Sequence, residues 1–253
     1  PVPELSGIRA IRFDGKSIYH AVTLKTVRRL SNNASFDVSY TLSQSKDDAS
    51  SPGATAFETN LPQNVRNIFP GEIALSSFDH RHQFVGSGTY GVPLYRDRGG
   101  LREAALGNWR VNGFVTLRSG APFTVNIIED RANIGSGPSQ RPDLLADPNL
   151  SREHRRVEEW FDTDAFVLQE KFSFGNSPRN PVFAPGFANV DMSLQKDWLF
   201  QNGTRLEFRW EIFNVFNRAN FDVPNRFFGS PNFGRIFSAY HAREMQFGLR
   251  YSF

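Results

Sequence analysis

The last ten residues alternate strictly. Met245, Phe247, Leu249, Tyr251 and Phe253 share one parity, while Glu244, Gln246, Gly248, Arg250 and Ser252 share the other. A period of two describes a strand with one apolar and one wet face. Chain ends of water-soluble domains are usually polar and frayed. An apolar-faced strand that ends on Phe253 is compatible with an edge of a β-sandwich, and equally with the closing strand of an outer-membrane barrel.

Six further segments repeat the pattern, at 17–30, 35–45, 82–92, 108–119, 188–198 and 204–213. The second is clean, with Phe36, Val38, Tyr40 and Leu42 set against Asp37, Ser39, Thr41 and Ser43. The first is interrupted on its apolar parity by Thr26 and Arg28, and the third places Gly86 and Gly88 on that parity. Each segment has about the ten residues that a tilted barrel strand needs to cross a bilayer.

The connections sort by length. Short turns at 31–34 and 200–203 carry Asn32-Asn33 and Asn202-Gly203, and 91–107 is intermediate. Long connections run at 46–81, 120–187 and 214–243. Alternation of long and short places all long loops at one end, as in barrels with short periplasmic turns and long outer loops. The expected fold is therefore all-β: an antiparallel transmembrane barrel in which 1–253 contributes about seven strands. Single-chain bacterial barrels use even strand numbers, and an open edge in lipid leaves backbone groups unpaired. Seven strands thus read as the carboxyl-terminal part of a larger barrel. Pro1 at the start, with no signal-like segment after it, fits that expectation.

Composition agrees. Hydrophobic residues are 39% and no run approaches the ~18 apolar residues of a spanning helix, yet aromatics reach 14% with 25 Phe. Alternating strands lower the mean without excluding a membrane barrel. The absence of cysteine excludes disulfides and thiolate metal sites. The 29 basic and 26 acidic residues are interspersed, without the basic stripe of a nucleic-acid binder.

Several stretches together resemble the Oar-like branch of the TonB-dependent outer-membrane transporters. They are FDGKSIYHAVTLK (13–25), FDVSYTLSQSKDDAS (36–50), SFDHRHQFVGSGTY (77–90), LGNWRVNGFVTLRSGAPFTV (106–125), WFDTDAF (160–166), FGNSPRN (174–180), PGFANVDMSLQKDW (185–198), LEFRWEIFNVFNRANF (206–221), SPNFGRI (230–236) and QFGLRYSF (246–253). The resemblance implies a barrel of about 22 strands. It also implies a plug and an amino-terminal domain absent from this chain, TonB as an energising partner, and import of a nutrient ligand through the outer membrane of a Gram-negative bacterium. It further implies that the terminal strand is read by the barrel assembly machinery. Two other readings remain open: a non-energised porin or adhesin-like barrel, and a secreted glycan-binding β-sandwich.

Candidate residues follow from position. Arg205, Glu207, Arg209 and Glu211 alternate in sign on a wet face and are placed to pair with Asp191, Gln195 and Asp197 on the preceding strand, as a lumen-facing ladder, or to touch a plug. Trp109, Trp198, Phe247, Leu249, Tyr251 and Phe253 gather toward the short-turn end as an interface girdle against membrane lipid. Trp160 and Phe161, in the 120–187 loop, either anchor that loop as a folded lobe or meet a small ligand. His80 and His82 share a face as a possible metal pair, but interfacial polar roles fit better. Asp47, Asp48, Asp162 and Asp164 lack a calcium-loop spacing and read as solvated loop acids. Gly135-Ser136-Gly137, with no helix after it, is not read as a phosphate cradle. No catalytic constellation, metal site or cofactor motif is found, so no enzyme is expected.

Overall fold

The computed structural model describes residues 13–31, 33–51, 53–59, 61–64, 71–95, 100–135, 137–200 and 202–253. Asn32, Ser136, Gln201 and the chain before residue 13, on which some expectations fall, lie outside the described residues.

Seven long strands form one antiparallel meander in chain order. They are β1 (Ser17–Ser31), β2 (Ala34–Asp47), β3 (His82–Gly91), β4 (Trp109–Arg118), β5 (Phe187–Leu199), β6 (Arg205–Phe213) and β7 (Glu244–Ser252). All bounds fall within two residues of those read from alternation. Among the described residues no pairing joins β1 to β7, so the sheet is open.

Register carries the parity from strand to strand, so that one row at a given height is apolar and the next is polar. Tyr90, Val111, Leu194, Trp210 and Phe247 stand side by side across β3 to β7. The adjacent row is Thr89, Asn112, Ser193, Glu211 and Gln246, knitted by side chains. Thr89 donates to Asn112 at 2.9 Å, Asn112 to Ser193 at 2.9 Å, and Gln246 to Glu211. A one-residue slip of any strand would place charge among the apolar rows, which fixes the register.

Among the described residues no second sheet covers the apolar face. Leu249 is 71% exposed, Phe247 69% and Leu117 42%, and Phe36 and Phe208 are only half-buried. A β-sandwich needs that face covered by a second sheet, so the sandwich reading fails. A continuous apolar face across seven strands far exceeds what a soluble monomer leaves in water, and hydrocarbon is its natural solvent.

The buried apolar core lies elsewhere, in the long connections. Phe123, Val125, Phe161, Ala165, Phe166, Val182 and Ala184 form it. The connection between β3 and β4, expected as a plain turn, carries a seven-residue helix, α1 (Gly100–Leu106).

Candidate functional site

The three long connections fold into one lobe at a single end of the sheet. Where the second loop leaves β4 and returns to β5, Pro122–Phe123 pairs with Val182–Phe183 and closes a neck. Gly120 makes this crossing possible, because a Cβ there would sit 1.7 Å from the Ala184 carbonyl oxygen. Asn126–Ile127 pairs in parallel with Phe227–Phe228 of the third loop, and Thr124 donates its N–H to Phe57 O of the first loop at 2.8 Å. Trp160 N–H reaches Gly234 O at 3.0 Å. Each loop therefore closes its backbone bonds on another.

Phe161 is the hub of the lobe core. Its ring meets Phe123, Phe166 and Phe233 edge-to-face, with centroids 5.1 to 5.9 Å apart, the preferred geometry of aromatic pairs. At 1% exposure it offers no surface to a ligand, so of its two expected roles the structure places it in the anchoring one. Trp160 packs beside it, donates its indole N–H to Phe183 O at 2.9 Å and lies under the Arg155 guanidinium, 5.4 Å from the ring.

A buried ionic network ties the lobe to the end of β2. Arg179 donates to Glu58 Oε2 at 2.9 Å, to the Asp47 carboxylate, to Ser50 Oγ at 2.8 Å, and to the carbonyls of Asp47 and Glu72 at 2.8 and 2.6 Å. Burial alone lowers the Arg179 pKa, but the hydrogen bonds and charges of Asp47 and Glu58 outweigh it and raise the value above ordinary arginine. Arg141 forks onto Glu72 with 2.9 and 3.0 Å bonds, and Asn180 joins Thr124, Leu75 O and Glu58. Asp47 is 4% exposed, so its reading as a solvated acid is corrected: it stands on the wet parity at the end of β2, where a buried arginine meets it.

Arg226, also buried, takes only neutral acceptors among the described residues. They are Asn126 Oδ1 and the carbonyls of Ala56, Thr124 and Thr55. Burial pushes its pKa down to about 10. These three arginines cross-link loops over 69 to 171 residues of chain. Nothing in local patterning marked them, since pairings so distant in sequence leave no periodic trace.

The wet-face ladder assembles largely as spaced. Arg205 bonds Asp197 at 2.8 Å and Glu207 at 3.1 Å, Arg209 bonds Glu207 at 2.7 Å, and Arg209 stands 3.8 Å from Glu211. Gln195 hydrogen-bonds Glu207. Asp191 departs from the ladder: its carboxylate accepts the Asn214 N–H and the Asn189 side chain, both at 2.8 Å, and so caps the exit of β6. The ladder borders a cleft lined by Asp37, Phe114, Asp191, Glu211 and Phe213 with a volume of about 420 Å³.

At the short-turn end the aromatics stand as expected on the apolar parity. Phe247 stacks on Trp210 with centroids 5.8 Å apart, and Tyr251 and Phe253 lie 6.0 Å apart. Trp109 and Trp198 do more than face outward, since both indole N–H groups bond carbonyls of α1, Ala105 at 3.0 Å and Ala104 at 2.7 Å.

The remaining candidates resolve into local structure. His80 Nδ1 bonds Ser119 O at 2.7 Å, and His82 Nδ1 bonds the Tyr40 hydroxyl at 2.8 Å. Burial lowers the His80 pKa, with nearby Arg118 adding to the shift. Among the described residues no three His, Asp or Glu side chains converge as metal ligands. A 3₁₀ turn (Gly137–Ser139) does follow the glycines of the 135–137 stretch, contrary to expectation. The N–H groups of Ile134 and Gly135 are nonetheless occupied by Asp130, at 3.0 and 2.7 Å, and these bonds hold its carboxyl below the usual range. Asp164 N–H caps onto Asp162 at 3.0 Å, an ordinary loop turn.

Comparison with curated proteins and with solved structures returns no significant match. A family model does match, over residues 1–246, and it is described as an outer membrane beta barrel domain. With the parity-matched sheet, its uncovered apolar face and its segregated loops already established, the chain belongs to the outer membrane beta barrel domain family, and its place is the bacterial outer membrane.

Proposed function

We propose that this chain is the carboxyl-terminal barrel portion of a TonB-dependent, Oar-like transporter that binds a nutrient ligand and imports it. The observation that carries the reading is the joining of all three long loops into one packed lobe at a single end of the sheet, rooted on the wet face through Asp47. A lobe with its own core and a buried ionic frame is pre-organised, which lowers the entropic cost of holding a ligand. In this reading the polar rows line the lumen. The Arg205–Glu211 ladder then keeps the lumen wall charged but internally neutralised, ready to slide against a plug. The terminal strand through Phe253 serves barrel assembly.

The test uses the full-length protein in its native outer membrane. Cells are given labelled iron chelates, oligosaccharides and peptides, with and without collapse of the proton-motive force. Energised import predicts uptake of one class that vanishes on collapse and on deletion of TonB. Uptake that persists unchanged in both conditions would establish a passive pore and overturn the proposal.

A further inference from the structure

One lysine breaks the apolar parity of β5. Lys196 stands between Trp109 and Phe208 on the face otherwise made of Val190, Met192, Leu194 and Trp198, yet it is 1% exposed. What buries it is α1. The lysine Nζ donates to Glu103 O at 3.3 Å and to Gly107 O, and sits 5.2 Å from the Trp198 ring centroid and 5.9 Å from that of Trp109. With the two indole donors, four carbonyls at the end of the helix are satisfied from the sheet: Glu103, Ala104, Ala105 and Gly107. A cation against the carbonyl end of a helix also suits the helix dipole.

The helix is thus held on the apolar side of the sheet, at the short-turn end. Leu101, Ala104 and Ala105 are spaced i, i+3, i+4, which puts them on one helical face, and all are exposed, Leu101 at 90%. Trp109, Lys196 and Trp198 bind the helix beside the apolar parity of β4 and β5, and Arg102 is next to Leu101 in the chain.

We propose that α1 is a membrane-surface foot. It lies in the headgroup layer of the leaflet at the short-turn end, its Leu101 face turned into lipid and Arg102 near lipid phosphate, with Lys196 as the positioning residue that latches it. Side chains with an apolar stem and a cationic tip favour that layer. The occupant is the phospholipid bilayer, because the surface that α1 extends is the barrel's own lipid face. The inference therefore rests on the barrel reading.

These 253 residues contain no cysteine, so single sites in them can be labelled once any cysteine elsewhere in the full-length protein is replaced by serine. The full-length protein is reconstituted in phospholipid vesicles with a fluorophore at Leu101→Cys, at Met192→Cys, midway along β5 on its apolar parity, or at Ser193→Cys, and shallow or deep nitroxide lipids serve as quenchers. The expected result is strong shallow quenching at 101, deep quenching at 192 and little at 193. Adding Lys196→Met, which leaves an apolar residue on a lipid face, should cut the shallow quenching at 101 severalfold while 192 is unchanged. Quenching at 192 without any at 101 overturns the foot. Undiminished quenching at 101 in the Lys196→Met background overturns the latch. No quenching at 192 overturns the barrel orientation itself.

Discussion

Replacing Arg179 by Met should open the outer lobe without disturbing the sheet. The side chain is 6% exposed and holds two carboxylates, Asp47 and Glu58, that are themselves nearly inaccessible. Met fills much of the arginine stem but supplies no donor. Asp47 would keep the Ser50 hydroxyl at 2.9 Å, and Glu58 would keep the Ser50 N–H at 3.1 Å and a long 3.4 Å bond to Asn180. Asp47 would retain no counter-ion among its described partners and Glu58 only the charge of Arg226, which does not hydrogen-bond it, and breaking a buried pair from one side costs about 3–5 kcal/mol. Taking about 4 kcal/mol, the opened population of the lobe rises about a thousandfold.

Amide hydrogen exchange on the reconstituted protein measures this directly, because local opening sets the exchange rate of protected amides. The N–H groups of Ser76, Thr124 and Ala184, bonded to Ser45, Phe57 and Ala121 at 2.8 to 2.9 Å, report on the lobe. Amides of β5 and β6 serve as internal controls. A second variant carrying Arg179→Met with Asp47→Asn and Glu58→Gln removes the buried charges as well, and should recover most of the lost protection. If Arg179→Met changes lobe exchange by less than about threefold, the buried network does not hold the loops together and the reasoning is wrong.

Three further outcomes follow from the same geometry. Gly120→Ala should disrupt the neck of the lobe, read as protease cutting within 120–187 while the sheet stays folded, because its Cβ would meet the Ala184 carbonyl oxygen at 1.7 Å; an uncut, protected loop would refute the crossing. His80 has a folded pKa below 6.5 because burial disfavours its charged form, so its contribution is fully present above that value and is lost as pH falls through the folded pKa. Lobe stability measured by exchange should therefore decline below about pH 6.5, and His80→Gln should flatten that part of the profile. Gln169 is 1% exposed with no partner for either atom of its side-chain amide among the described residues. Gln169→Met should stabilise the lobe by about 1–3 kcal/mol, and a loss of stability would show that the amide is satisfied in solution.

The strands were legible because their physics is local and periodic. A two-residue repeat needs only neighbours to be recognised, and membrane lipid imposes the same demand on every strand. For that reason Phe36–Leu42 on β2 and Met245–Tyr251 on β7 declare their faces from sequence alone. The Arg205–Glu211 ladder was legible for the same reason, since charges two apart share a face. Asp191 belonged to that parity but lies at the strand exit, where an unpaired backbone N–H at Asn214 claims it first. The lobe obeys a different rule. Arg179 meets Glu58 across 121 residues and Arg226 meets Ala56 across 170, so composition and spacing around each arginine are those of any surface loop. Their burial depends on three loops arriving together.

Lys196 shows how a departure from a periodic pattern carries information. A cation on an apolar parity, one residue from Asp197 and two from Trp198, reads locally as a blemish in a lipid-facing strand. An unpaired ammonium at that position would face a large desolvation cost, so the sequence requires something polar to cover it. The nearest supply of polar groups on that side is the connection between the two preceding strands, and helix-forming residues with a terminal glycine sit there as Leu101–Gly107. Carbonyls in the last turn of a short helix have acceptor capacity to spare, and Glu103 O takes the Lys196 ammonium beside the Gly107 N–H. The lysine and the helix therefore specify each other: without α1 the ammonium has no acceptor on the lipid side, and without Lys196, Trp109 and Trp198 a seven-residue helix is too short to persist.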